Sequence, residues 1–167
     1  MMKTGRKTEA GLAVLLLALI ITVTFAACAK ANISAYKDRE ILVTGLTEND
    51  FTITPGELME LPCVSDTAVG QSEKAGTVRA YGPTLETFLQ QYGYRVSDIK
   101  SIRFTAGDNY KVTLGKITWD QYSVIFSVAN GSKPLYESEQ PLRIVIPGGN
   151  SGNWIRNVER IEFTLNQ

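Results

Sequence analysis

Whatever chemistry this chain performs, it performs without an imidazole. None of its 167 residues is histidine, which removes catalytic His dyads and triads, histidine zinc sites and His-ligated haem. The side chains that remain available fall in three stretches. In "LPCVSDTAVG", Cys63 is either a thiolate for a soft metal or a small apolar residue that carries sulfur. In "GDNY", Asp108 and Tyr110 are either a catalytic acid and phenol, or ordinary turn chemistry followed by a packed ring. The loop "PGGNSGNW" has Gly148 and Gly149, whose amides could converge on an anion, with Ser151 and Asn153 as further donors. The alternative for that loop is a turn in which glycine supplies positive φ. Trp154 beside it could stack on a planar ligand or cover the core, whereas Trp119 and Tyr122 are expected to pack.

The elements that must hold these residues begin after an address. Lys3, Arg6 and Lys7 precede an apolar run, "GLAVLLLALIITVTFAA", that ends in small residues at Cys28, the order of a secretory signal. "TFAAC" resembles a bacterial lipoprotein signal in which Cys28 becomes the lipidated first residue, with Phe25 standing where leucine is preferred. Cleavage after Ala29 or Ala31, or an uncleaved anchor, are the other readings. The expectation is an exported membrane lipoprotein on the extracytoplasmic face: a leader over 1–28, a tether over 29–39 and one domain over 40–167. Lipidation of Cys28 leaves Cys63 without an intramolecular disulfide partner; otherwise a Cys28–Cys63 bridge is open. Beyond residue 28 the chain has 14 basic (17 − 3) and 16 acidic (17 − 1) residues, so nothing draws it broadly to nucleic acid.

From Glu40 the pattern is mostly strand. "EILVTGL", "GTVRAYG", "IKSIRFTA", "NYKVTL", "SVIFSVANG", "PLRIVIPGG" and "RIEFTL" each read as one strand, with Ile99, Ile102, Phe104, Ile161, Phe163 and Leu165 inward. "DFTITPGEL" is a short strand running into a helix start, with Thr54 as cap, Pro55 at the first position and Glu57 closing a capping box. "PTLETFLQQYG" predicts a helix burying Leu85, Phe88 and Leu89 and stopped by Gly93. The sum is an α+β fold, mostly β, with two or three short helices.

The order of these stretches resembles the molybdenum-cofactor-binding domain of the sulfite oxidase-like family of molybdopterin-dependent oxidoreductases. The resemblance runs from about Gly45 to Phe163. It rests on "ELMELP", on "AYGPTLETFL" with Tyr81 in place of the usual tryptophan, on Asp108-Asn109-Tyr110 for an Asp-Gly-Tyr turn, and on "PLRIVIPGG" with "VERIEF". It implies a sulfite oxidase-like molybdopterin-binding fold and a bound molybdenum cofactor. Cys63 would be the metal ligand, since the family's cysteine stands at the end of an early strand and thiolate suits molybdenum. Gly148, Gly149, Ser151, Asn153 and Trp154 would hold the pterin, and Arg143 and Arg156 would replace the family's phosphate-holding lysines. The chain departs from the family in placing Cys63 directly after Pro62. Two functions follow. One is an exported oxidoreductase that passes electrons to a separate membrane partner, having no haem or iron–sulfur ligand set of its own. The other is a membrane-tethered module that binds a pterin-like small molecule and has lost the metal chemistry.

Overall fold

The computed structural model describes residues 31–72 and 75–166. The leader, Cys28 and Ala29 lie outside the described residues. Among the described residues, eleven strands and three α-helices follow in order: β1 (Ile41–Thr44), β2 (Phe51–Ile53), α1 (Pro55–Glu60), β3 (Cys63–Val69), β4 (Thr77–Pro83), α2 (Leu85–Gln91), β5 (Ile99–Ala106), β6 (Lys111–Gly115), α3 (Lys116–Gln121), β7 (Ile125–Ser127), β8 (Ala129–Asn130), β9 (Lys133–Pro134), β10 (Arg143–Val145) and β11 (Val158–Leu165). Three single turns of 3-10 helix sit at Val96–Asp98, Glu137–Glu139 and Ser151–Asn153. The α+β, mostly-β expectation holds.

The larger sheet has the order β2-β1-β11-β5-β6, with β1 parallel to β11 and every other pair antiparallel. Its inner face carries Ile41, Val43, Ile102, Phe104, Ile161 and Phe163, all buried. On β5 and β11 these alternate with polar residues, and on β1 with the half-buried Leu42 and Thr44, as a period-2 strand requires when one face is wet. Helix α2 closes this face. Thr84 caps it through Thr87 N, and Leu85, Phe88 and Leu89 are buried at helical spacing. Phe88 stacks on Phe163 at 6.0 Å and meets Phe126 at 5.0 Å, tying helix, large sheet and β7 into one aromatic core. Helix α1 begins as read, with Glu57 N donating to Thr54 Oγ1 at 3.2 Å and Thr54 N donating to Glu57 Oε2 at 2.7 Å.

A second sheet has the order β3-β4-β8-β9, and β7 pairs with β10. Here the structure departs from expectation three times. "SVIFSVANG" is two strands: β7 pairs with β10, and two residues later β8 pairs with β4. The crossing is held by Ser127, whose buried hydroxyl donates to Ala129 O at 2.9 Å and accepts from Tyr81 N at 3.2 Å. "CVSDTAV" is itself a full strand along β4, from Cys63↔Pro83 to Val69↔Thr77. Finally, among the described residues the packing reaches back to Ala31. Ala31, Ile33 and Tyr36 are buried with Ala129 and Leu135 in a small satellite core. Tyr36 fastens it by donating to Val128 O at 2.8 Å and accepting from Leu135 N at 2.9 Å. The polar look of 29–39 hid three apolar residues at 31, 33 and 36, so the stretch from 31 to 36 straps the domain instead of tethering it.

Gly82 stands where β4 crosses β7. A Cβ there would collide with the Phe126 carbonyl, so the close approach of the two backbones admits only glycine.

A candidate ligand cavity beside the glycine loop

Arg143, Ser151, Trp154 and Arg156 converge. They line a cavity of about 420 Å³ together with Ala75, Thr77, Val78, Asn130, Tyr136, Ser138 and Glu139. Strand β10 delivers Arg143, the loop after it delivers the other three, and the turn before it delivers Glu139. Arg143 and Glu139 are only 7% and 4% exposed, and Arg143 Nη1 donates to Glu139 Oε1. The pair is incompletely satisfied, for Glu139 Oε2 and Arg143 Nε are buried with no hydrogen-bond partner. Arg143 lies 5.8 Å from the centre of the Trp154 ring. Burial pushes its guanidinium pKa down; Glu139 opposes this and the neighbouring Arg156 adds to it. One carboxylate against two guanidinium groups leaves a net positive wall, which favours an anion. The volume suits a small molecule.

The other expected residues are not brought to this place. Gly148 and Gly149 do not line the cavity. Gly148, at φ +74°, takes the positive-φ position of a turn in which Gly149 N donates to Ile146 O at 3.0 Å. Asn153 N and Trp154 N donate to Asn150 O and Ser151 O, and Gly152 N to Asn150 Oδ1. The loop therefore spends these amides on its own turn and helical cap, and its contribution to the cavity is made by side chains. Asn153 is half-buried but does not reach the cavity. Trp154 is buried, its indole N–H donating to Ile146 O at 3.2 Å, so it covers the core and shows the cavity part of its ring.

Asp108 and Tyr110 form the β5–β6 turn. Tyr110 N donates to Asp108 Oδ1 at 3.0 Å, Asn109 sits at φ +66°, and the Tyr110 ring is exposed. Neither residue lines the cavity; Asn109 lines a different one, with Arg103, Lys111 and Arg160. The turn reading accounts for both.

Cys63 is the first residue of β3, whereas the cavity-lining Thr77 and Val78 pair with Val69 and Ala68 at its other end. Six residue steps at roughly 3.3 Å put the thiol about 20 Å from that end. It is half-buried, with Sγ 3.3 Å from Leu61 O and 3.8 Å from Leu58 O. It is neither at the cavity mouth nor fully sunk in the core. The missing signal was the strand after it: the residue at the strand end is Val69, which is 68% exposed. The residues present therefore do not fit a thiolate-held molybdenum at this cavity, and among the described residues no group of three or more His, Cys, Asp or Glu side chains could hold a metal ion. Glu139 and Tyr136 are among the cavity residues that sequence reasoning missed. A charged residue four places before Arg143 was the available signal for the first.

No protein-family model matches the chain, and no curated protein matches it. Among solved structures it is similar to the crystal structure of the sulfane dehydrogenase SoxCD from Paracoccus pantotrophus, with a TM-score of 0.62 at 16% identity. The match covers 77% of this chain and 39% of that one, so the chain spans well under half of the protein it resembles in fold.

Proposed function

We propose that this chain is an exported, membrane-anchored binding module that keeps the molybdopterin-domain fold without its metal chemistry and takes a small, planar, anionic ligand, pterin-like in character. The observation that carries this reading is the register of β3. Its thiol begins the strand, about 20 Å from the end that borders the cavity, while the cavity keeps two guanidinium groups, a hydroxyl and an indole ring. Arg156, exposed at the rim, supplies the free charge for an anion, and Ser151 supplies a hydroxyl. Trp154 offers the flat surface.

The competing reading is an oxidoreductase that holds the molybdenum cofactor and passes electrons to a separate partner; the fold likeness to a sulfane dehydrogenase supports it. One experiment separates the two. The chain purified from its own cells is assayed for molybdenum and for the fluorescence of oxidised pterin, and the protein is titrated with inorganic phosphate and with a phosphorylated pterin. The binding module predicts no stoichiometric molybdenum, saturable quenching of tryptophan fluorescence by the pterin, and at least about a tenfold weakening by Arg156→Ala, the worth of one charge-assisted hydrogen bond. Stoichiometric molybdenum together with pterin would establish the oxidoreductase instead.

A further inference from the structure

The strap has a geometric consequence for the membrane. Cys28 stands three positions before Ala31 (31 − 28), and Ala31 is already packed in the satellite core. Three residues span at most about 11 Å. Whether the chain is held by a lipid on Cys28 or by an uncleaved apolar run ending there, the bilayer surface begins within that reach of Ala31. An anchored domain on so short a leash cannot turn freely.

We propose that the face built by the strap, β9 and Tyr136 lies against the bilayer. This inference rests on the anchored reading of the leader given above. Leu135 is buried against Ala31, Ile33 and Tyr36, and its amide is bonded to the Tyr36 hydroxyl. Its neighbours Lys133, Pro134 and Tyr136 are therefore among the exposed residues beside the anchor point, with the acidic Glu137 next to Tyr136. Tyr136 is 71% exposed, an aromatic ring with a polar tip of the kind that settles at lipid headgroups, and Lys133 adds a cation for anionic lipid. Tyr136 also lines the cavity, so the cavity rim lies at the level of the headgroups. The register of the large sheet supplies a reference lysine away from this face. Strand β11 runs parallel to β1 and ends at Leu165, which pairs with Ile99, while Leu42 pairs with Arg160. Lys100 is thus about 17 Å farther along the strands than the start of β1, to which the strap leads.

The test is lysine footprinting of the full chain in phosphatidylethanolamine–phosphatidylglycerol vesicles with a membrane-impermeant succinimidyl ester, read by peptide mass spectrometry. It is paired with a variant carrying about ten Gly/Ser residues between Lys30 and Ala31, which adds roughly 18 Å of reach. In the native chain Lys133 is modified several-fold more slowly than in the insertion variant, and Lys100 reacts equally in both. Equal Lys133 rates in a membrane-bound chain, or protection of Lys100 instead, would overturn the orientation and leave the anchor standing. A chain released into the soluble fraction would overturn the anchor, and the orientation with it.

Discussion

Removing the carboxylate of Glu139 by Glu139→Gln isolates a guanidinium in the interior. Glu139 and Arg143 are 4% and 7% exposed, and the glutamate is the acceptor for Arg143 Nη1. The other charge acting on Arg143 is the like-charged Arg156. Breaking a buried pair from one side costs about 3–5 kcal/mol, because the remaining charge keeps its desolvation penalty and loses its compensation. Two features bring the figure toward the lower end. The introduced side-chain amide can still accept one hydrogen bond, and the cavity admits water near Arg143. The expected loss is about 3 kcal/mol, of which much is the penalty on the orphaned cation. The double variant Glu139→Gln with Arg143→Met removes that cation, along with the orphaned Nε, and recovers about 2 kcal/mol of the loss. Equilibrium urea unfolding with an unchanged m-value measures both. A single variant within about 1 kcal/mol of the native protein, or a double variant no more stable than the single, would refute a buried pair whose partners depend on each other.

Gly82→Ala should destabilise by about 3 kcal/mol or prevent folding, since the new methyl meets the Phe126 backbone and neither chain can yield without breaking the core; a loss below about 1 kcal/mol in urea unfolding would refute the close approach. Tyr36→Phe removes one donor and one acceptor from buried backbone groups and should cost about 2 kcal/mol or more. Burial and Glu139 raise the Tyr36 pKa. Its contribution is therefore complete below about pH 10, the unfolded value, and is lost as pH rises toward the folded one. Burial and Glu57 raise the Tyr92 pKa as well, so the native protein should show a larger alkaline loss of stability than Tyr36→Phe, which keeps only the part due to Tyr92. Cys63→Ser should leave pterin titration unchanged and alter stability by no more than about 1 kcal/mol, since the thiol is half-buried and far from the cavity.

The amphipathic elements were legible because their signals are local. The capping box at Thr54, the Leu85–Phe88–Leu89 stripe and the alternation in "RIEFTL" each need only neighbours in sequence, and each forms as read. Three features were not legible. The strand after Cys63 is exposed on the outer edge of its sheet, so polar Ser65, Asp66 and Thr67 mask it. The split between β7 and β8 depends on two partners far along the chain, β10 and β4. The strap depends on pockets for Ile33 and Tyr36 that exist only once Leu135 is in place. At the cavity, Arg143, Ser151, Trp154 and Arg156 were singled out by residue type, and all four line it. The spending of the glycine-loop amides on a turn and a helical cap, and the pairing of Arg143 with Glu139, are facts of three-dimensional geometry that composition does not carry.

The place of β11 in the large sheet governs when that sheet can exist at all. Between β1 and β5 sits the segment Val158–Leu165, the last strand in chain order among the described residues. Without it the order β2-β1-β11-β5-β6 falls into two hairpins, β1–β2 and β5–β6, that share no hydrogen bond, and isolated hairpins are marginal in water. A chain emerging N-terminus first, from a ribosome or through a membrane pore, therefore carries two disconnected hairpins and an uncovered aromatic cluster until its keystone strand arrives. Assembly of this sheet waits until residues 158–165 have emerged, and helpers that shield apolar surface have that interval in which to act.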